Sequence, residues 1–358
     1  PLMGYFTSGT TASPKFVEHS HVSYPIGHLS SLYASGLVQG DIHVNIASPG
    51  WAKHSWSSFF VPWTAEATVV VSELPSQPDR IDVEALISVL KRTRATSLCA
   101  PPAVWRALGK VDTVGQDLCL REATSAGEAL GLDTFTAVHN RWGISVRDVY
   151  GQTETTAILA NLPGRTKPGT SGLPLPGYDV VLVDPDGRPP DDGELCIRVD
   201  TDFPAIMRSY PDRPPGGSGL YRTGDIGRRD AEGFITILGR VDDMFKCEGH
   251  RVGPVEIESV LASHPSIVEV AIAAVGTPPV GTTPHAFVRL RGDIEADEMA
   301  ARSIFAHTAA QLSPHARPSR IHFVSSLPRT ASGKVRRNAL RSELPSAGIW
   351  FDETEVPP

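Results

Sequence analysis

The chain has 358 residues, 41 % of them hydrophobic and 20 % charged, the balance of a globular protein with two or more domains. With 33 basic against 40 acidic residues the net charge is −7 and no basic cluster stands out, which argues against nucleic acid as a partner. Four scattered cysteines (Cys99, Cys119, Cys196, Cys247) without a C-x-x-C pair argue against a disulfide framework or a zinc site and point to a reducing, cytoplasmic setting.

No apolar run is long enough to span a bilayer, and the first residues lack the basic and apolar parts of a signal peptide. Residues 1–163 read as an α/β core. Thr68–Val71 and Val146–Val149 are compact strand candidates, and Val83, Leu86, Ile87 and Leu90 follow helical spacing within 81–93. Short apolar strands alternating with helices predict a mainly parallel sheet covered on its faces. Residues 164–241 read as a small β-rich subdomain: Asp179–Val183, a Pro185-Asp186-Gly187 turn, Glu194–Val199, then Phe234–Leu238. From 242 to 358 a separate α+β unit follows. Pro254 opens a helix, Val268–Ala274 and His285–Leu290 are strands, Asp297–Leu312 is a helix and Arg320–Val324 a last strand. The tail beyond Leu344 shows no pattern and is expected to be mobile.

Five loops carry chemistry. Tyr5-Phe6-Thr7-Ser8-Gly9-Thr10-Thr11-Ala12-Ser13-Pro14-Lys15 is rich in hydroxyls and ends in lysine, so its backbone N–H groups can cradle phosphate. It is not the common P-loop, because Pro14 stands where the second glycine belongs; a plain Ser/Thr-rich surface turn is the alternative. Tyr150-Gly151-Gln152-Thr153-Glu154-Thr155 follows a strand, where α/β folds bind ligands. There Thr153 can donate to a phosphate and Glu154 is a hard oxygen ligand suited to Mg²⁺; a solvated turn is the alternative. The third loop, Tyr221 to Gly227, holds Asp225 behind a glycine, where it can accept both hydroxyls of a ribose. The fourth runs from Gly239 through Arg240 and Asp242 to Arg251. The fifth, Leu327 to Lys334, is another hydroxyl-bearing loop ending in lysine.

Together, in this order, the five loops resemble the adenylate-forming superfamily of acyl-CoA synthetases, adenylation domains and luciferases, from Tyr5 to about Leu340. Tyr5-Phe6-Thr7-Ser8-Gly9, Glu18-His19-Ser20, Gly50-Trp51 and Lys167-Pro168-Gly169 look most like the medium-chain and aromatic acyl-CoA synthetases. The resemblance implies that residues Thr7, Ser8, Gly9, Thr10, Thr11 and Lys15 hold the β- and γ-phosphates of ATP. It implies that Ser125, Ala126, Gly127 and Glu128 pack on adenine and the acyl group, with Trp51 and His54 lining the acyl pocket. Tyr150, Gly151 and Gln152 lead to Thr153 on the α-phosphate and Glu154 on Mg²⁺. Asp225 and Arg240 bind ribose, Asp242 is the hinge of a mobile C-terminal lid, Gly249 lines the pantetheine tunnel, and Lys334 bridges carboxylate and α-phosphate. The implied substrates are a carboxylic acid, ATP (or a preformed acyl-adenylate) and CoA.

Two departures from the family pattern affect the first step. The subdomain that normally precedes the phosphate loop is absent from this sequence. Ala12 also replaces a usual glycine, with bulky Phe16 nearby, which costs about 1 kcal/mol if the loop needs a positive φ there. The resulting expectation is a ligase specialised for the second half-reaction, supplied by a partner adenylating enzyme. Retention of Lys334 keeps the complete two-step ATP-dependent synthetase open beside it. A non-catalytic homologue, binding a partner or a second copy through exposed apolar surface, is a third reading, and a carrier-protein thiol in place of CoA a fourth. The proline- and arginine-rich composition suggests secondary metabolism.

Overall fold

The computed structural model describes residues 1–7, 15–72, 76–77, 80–111, 118–184, 191–199, 205–207, 219–277, 281–329, 335–342, 349–354 and 356. The chain forms two compact units, one of Pro1–Thr223 with Gly227–Ile237, the other of Gly224–Ile226 with Leu238–Pro358.

The first unit opens with an antiparallel hairpin of β1 (Met3–Thr7) and β2 (Lys15–His19), in which Tyr5 faces Val17 and Thr7 faces Lys15. Tyr5 and Val17 are buried, while Phe6 and Phe16 meet at 5.1 Å on the other face of the hairpin. Helix α1 (Ser23–Ser35) follows, then β3 (Ile42–Asn45). Next comes a run in which α2 (Ala52–Ser55) passes through a π-helical turn at Trp56–Phe60 into α3 (Val61–Thr64). The chain continues through β4 (Thr68–Val69), β5 (Ser76–Gln77), β6 (Arg80–Ile81), α4 (Val83–Thr93), β7 (Ser97–Ala100) and α5 (Pro102–Leu108). Then come β8 (Glu122–Ala126), α6 (Leu132–Trp142), β9 (Val146–Gln152), β10 (Thr156–Ala160) and β11 (Leu173–Pro174).

Seven of these strands form one sheet in the order β11-β10-β9-β8-β7-β3-β4. The pairs from β4 to β9 are parallel; β10 and β11 add antiparallel. The mainly parallel sheet read from the sequence is therefore present. Helices α4 to α6 cover one face through Leu86, Leu90, Trp105 and Val138, packed on Leu98, Ala123 and Val146. Helix α4 starts where it does because Asp82 accepts from the Ala85 N–H at 2.9 Å, an N-cap. On the other face, Ala34 of α1 lies with Val17, Val149 and Ile158 in a second core.

A buried ion network ties α1 to this sheet. The Arg147 guanidinium pairs with Glu122, both side chains almost fully buried, and donates to the Ser35 and Ala34 carbonyls at 2.8 and 3.2 Å. Arg121 also pairs with Glu122 and reaches Asp41 at 2.5 Å.

Strands β12 (Val180–Val183), β13 (Asp192–Arg198), β14 (Leu220–Arg229) and β15 (Ile235–Arg240) make a four-stranded sheet in chain order. This is the β-rich stretch expected near 179–240; its Pro185-Asp186-Gly187 turn lies outside the described residues. The second unit contains the hairpin β16 (Phe245–Cys247) and β17 (His250–Val252), α7 (Pro254–Ala262), β18 (Ile267–Thr277), β19 (Gly281–Leu290), α8 (Glu298–Gln311), β20 (Arg320–Phe323), α9 (Arg337–Ser342) and β21 (Trp350–Asp352). Ile257, Leu261, Ile272, Ala286, Phe305 and Ile321 form its core.

The expectation of a patternless tail beyond Leu344 is corrected here. β21 pairs antiparallel with β20, Trp350 opposite His322, and Val356 is buried in the core of the second unit. Three residues are too few for alternation to show in sequence. Among the described residues no helix is long and apolar enough to cross a membrane.

Removing one member of a buried ion pair strands the other, at about 3–5 kcal/mol. Arg147→Met is therefore expected to lower unfolding free energy by that amount in urea titration. A loss under 1 kcal/mol would show that the network does not hold α1.

Candidate active site

The tip joining β9 to β10 is built from an unusually close backbone crossing. A Cβ on Gly151 would lie 1.9 Å from the Thr156 carbonyl oxygen, so only glycine fits. Thr156 itself takes a left-handed φ of 62°, uncommon for a β-branched residue. It is held there by its Oγ1, which donates to the Gly27 carbonyl at 2.9 Å and lies 2.9 Å from the Tyr178 hydroxyl. The Tyr178 hydroxyl also donates to the Thr155 carbonyl. Thr155 Oγ1 accepts from the Gln152 N–H at 3.1 Å, and the Met207 N–H donates to the Glu154 carbonyl at 2.8 Å. Thr153 and Glu154 thus stand half-exposed on a tip whose backbone is fixed from several sides.

His19, the last residue of β2, joins this tip to the first hairpin: its Nε2 lies 2.7 Å from the Thr153 carbonyl oxygen. Burial holds the imidazole below its ordinary pKa, opposed by that hydrogen bond and by the Glu154 charge; the neutral ring therefore donates from Nε2. Thr7 and Lys15 face each other at the open end of the hairpin, Thr7 Oγ1 donating to the Lys15 carbonyl at 3.4 Å. Ser8, Gly9, Thr10, Thr11 and Ala12 lie outside the described residues. Phe16 rests against Phe6 on the face of the hairpin away from Val17, so its bulk falls there. Behind His19, Tyr24, His28 and Phe60 form an aromatic cluster with ring centroids 4.4–5.0 Å apart. Both His28 nitrogens are buried without a partner among the described residues, and burial, with His19 nearby, lowers its pKa to about 3.

At the end of β8, Gly127 has a φ of 113° and turns the chain towards Glu128 and Leu130. The Leu130 N–H donates to Asp148 at 3.1 Å; burial raises the Asp148 carboxyl to about 7, against the Leu130 and Val149 N–H groups. Strand alternation sends Ser125 to the face of Ala123, under α4 to α6, and Ala126 to the other face. Trp51 caps α2 and is 40 % exposed. His54 Nδ1 lies 2.8 Å from the Ala47 carbonyl oxygen. Between them is a residue the sequence reading passed over: Lys53 Nζ donates to the Ala126 carbonyl at 3.0 Å. Nothing in a lone lysine of a G-W-A-K string signals that it turns inward.

In the second unit, Arg240 Nη1 lies 3.2 Å from Asp225 Oδ2. Asp225 stands on β14 two residues beyond Thr223, whose carbonyl accepts from Gln152 Nε2 at 2.8 Å in the first unit. Asp242 occupies a 3-10 turn, Val241–Asp243, directly after β15. Its neighbour Asp243 pairs with Arg337 and Arg341 at 3.2 and 3.4 Å, and Arg337 also meets Glu258 at 2.7 Å. Gly249 shares with Glu248 a two-residue turn in which both residues have positive φ, 84° and 50°, the geometry that fits a tight hairpin. Lys334 lies outside the described residues.

Comparison with known proteins agrees with the geometry. The AMP-binding enzyme family matches residues 1–210, and its C-terminal domain matches residues 256–334. The chain belongs to the AMP-binding enzyme family. It is 36 % identical over 350 residues to 4-hydroxybutyrate–CoA ligase 1 of Metallosphaera sedula, covering 95 % of this chain and 62 % of that protein. The chain thus spans under two thirds of the length of that relative. The crystal structure of the anthranilate CoA ligase AuaEII in complex with anthranoyl-AMP superposes with a TM-score of 0.84 at 29 % identity, covering 95 % of this chain and 66 % of that one. The o-succinylbenzoate coenzyme A synthetase MenE of Bacillus subtilis, in complex with ATP and magnesium ion, superposes with a TM-score of 0.79 at 26 % identity, covering 94 % and 69 %.

Two outcomes follow from the geometry of the tip and its surroundings. Gly151→Ala forces the tip apart and is expected to cost about 1–3 kcal/mol, read as a lower urea midpoint; an unchanged midpoint would contradict the crossing. His28 stays neutral in the folded state, while the unfolded chain takes up a proton near 6.5. Its stabilising contribution is complete above pH 6.5 and is lost as pH falls from there towards 3. Between pH 7.5 and pH 5 the loss is about 2 kcal/mol. His28→Phe should shrink the stability difference between those two pH values by that amount.

Proposed function

We propose that the chain is an AMP-forming acyl-CoA ligase of the medium-chain or aromatic type, carrying out both half-reactions. The observation that supports this reading most is the fixed Thr153–Glu154 tip, joined through His19 to the phosphate-loop hairpin in a chain of the AMP-binding enzyme family. In the first step the carboxylate of the acid displaces pyrophosphate from the α-phosphorus of ATP. In the second the thiol of CoA attacks the acyl carbonyl, and AMP leaves.

Each residue has a role in this reading. Thr7, Lys15 and the loop between them hold the β- and γ-phosphates. Thr153 donates to the α-phosphate, and the locked backbone means no reorganisation is needed as charge builds there. Among the described residues no three His, Cys, Asp or Glu side chains form a metal cage. A single carboxylate, Glu154, fits Mg²⁺, which keeps waters and takes phosphate oxygens for its remaining ligands. When bound, the ion neutralises charge on the phosphoryl oxygens. Asp225 accepts the ribose hydroxyls and Arg240 orients its carboxylate. Gly127 and Glu128 border adenine. Lys334 bridges the carboxylate and the α-phosphate in the first step; rotation about Asp242 then replaces it with the Gly249 turn along the pantetheine path.

The comparisons favour the complete two-step ligase over the second-half specialist. The structural neighbours include one holding ATP and magnesium, and Phe16 packs on Phe6 away from the core face. The two-step reading needs no separate adenylating partner.

The test is a pair of assays. Acid, ATP, Mg²⁺ and CoA should yield pyrophosphate, AMP and acyl-CoA in equal amounts. Thr153→Val should lower kcat/KM about 100-fold or more. Lys334→Ala should lose pyrophosphate release yet still convert supplied acyl-adenylate and CoA. Product only from supplied adenylate would restore the specialist; product from neither would remove the ligase reading.

A further inference from the structure

The turn Val241–Asp243, which follows β15, is held by an ion cluster inside the second unit. Asp243 Oδ2 lies 3.2 Å from Arg337 Nη1, and Asp243 Oδ1 lies 3.4 Å from Arg341 Nη2. Arg337 Nη2 donates to both Glu258 oxygens, at 2.7 and 2.8 Å, and Glu258 Oε1 also accepts from the Ile272 N–H at 2.8 Å. Two guanidiniums and two carboxylates thus join the turn, α7, β18 and α9. The Asp243 side chain is 12 % exposed and those of Arg337 and Glu258 18 %. Pairs this far from solvent bind more firmly than exposed ones, and removing one member strands the rest.

The cluster borders Asp242, the hinge of the proposed lid. On one side of Asp242, Arg240 ends β15 and lies 3.2 Å from Asp225, and its carbonyl accepts from the Met244 N–H at 3.1 Å. On the other side, Asp243 is gripped by two side chains of α9. Only Val241 and Asp242 lie between the two ion-paired residues. A hinge is a few element-terminal residues that absorb a large φ/ψ change while the bodies on either side stay rigid. Ion pairs at Arg240 and Asp243 confine such a change to the two residues between them.

Both segments that the two half-reactions exchange are tied to this cluster. The hairpin with Gly249 in its turn begins at Phe245, two residues after Asp243. Helix α9 begins at Arg337, three residues after Lys334 in the sequence. The chain entering α9 is held as well. Val335 forms a β-bridge with Arg329, and the Arg336 N–H donates to the Pro328 carbonyl at 2.8 Å. Arg329 Nη2 lies 3.1 Å from Glu269 of β18. A rotation that carries the hairpin through Asp243 therefore carries α9 with it.

We propose that Asp243 and Arg337 are positioning residues of the ligase: their ion pair anchors the pivot at Asp242 to the body of the second unit, so that the Gly249 hairpin and α9 swing together. This deepens the proposed function and rests on that reading. Neither residue touches substrate. Asp243→Asn weakens the link between the pivot and α9 and leaves Arg337 on Glu258. Glu258→Gln removes an equal charge from the same cluster and leaves Asp243 on both arginines. The first substitution loosens the pivot; the second does not.

The experiment compares the unmodified chain with Asp243→Asn, Asp243→Glu and Glu258→Gln by two readouts. The first is kcat for acyl-CoA formation from a panel of medium-chain and aromatic acids with ATP, Mg²⁺ and CoA. The second, which needs no turnover, is the rate of trypsin cleavage after Arg240, with the cut identified by mass spectrometry; such cleavage follows local opening of the chain. Asp243→Asn should lower kcat about tenfold or more and speed that cleavage by a similar factor. Asp243→Glu, which keeps the carboxylate, should recover most of both. Glu258→Gln should leave both within about threefold of the unmodified chain, even where its thermal midpoint falls as far as that of Asp243→Asn. An unchanged kcat in Asp243→Asn, or equal effects of Asp243→Asn and Glu258→Gln, overturns the inference and leaves the ligase standing. No turnover of any acid, with cleavage after Arg240 accelerated in Asp243→Asn alone, overturns the ligase and supports the anchored pivot. Neither turnover nor selective cleavage overturns both.

Discussion

The near-contact between the backbones at Gly151 and Thr156 sets the geometry of the tip that carries Thr153 and Glu154. Two antiparallel strands that cross this closely tolerate no side chain at 151, and the turn beyond must take a left-handed residue at 156. Thr156 accepts that strain because its hydroxyl donates to the Gly27 carbonyl of α1 and lies against the Tyr178 hydroxyl, which itself holds the Thr155 carbonyl. The stabilisation comes from elements distant in sequence, and what it fixes is the position of Thr153 and Glu154. Strain at a functional tip, offset by buried hydrogen bonds around it, is a recurrent way to preorganise polar groups.

How much of this was readable from the sequence depends on the kind of signal. Helix α4 was visible because Val83, Leu86, Ile87 and Leu90 mark one face; its Asp82 cap emerged only from the structure. The strands around 180–198 were visible from their β-branched runs. The loops that resemble a known family singled out Thr153, Asp225 and Arg240 as candidates by type. What the sequence did not reveal is the set of side chains that position them. His19 reaches Thr153 across 134 residues, and no local pattern encodes such a contact. Tyr178 looks like any tyrosine of a β-rich stretch. Ser125 and Ala126, read as neighbours in one pocket, are sent to opposite faces by the pleat. β21 was missed because its three residues gain their strand character from β20 rather than from their own composition.

Lys53 illustrates the same limit from the other side. A lysine in a short helix is normally a solvated charge. Its ammonium turns inward because the helix end sits over the carboxyl ends of β3, β7 and β8, where the Ala126 carbonyl is available. The π-helical turn that follows brings Ser57 and Ser58 onto His43 and Asn45. The polar character of that strand-end row is therefore a property of packing, not of any one motif.

The account stands on Thr153 lying at the phosphate of a bound adenylate. The most direct measurement is a crystal structure of the chain with a non-hydrolysable acyl-sulfamoyl adenosine. The expected result is the Thr153 hydroxyl within hydrogen-bond distance of the sulfamate oxygen and the ribose hydroxyls on Asp225. A ligand bound away from Thr153, or no binding at all, would contradict it.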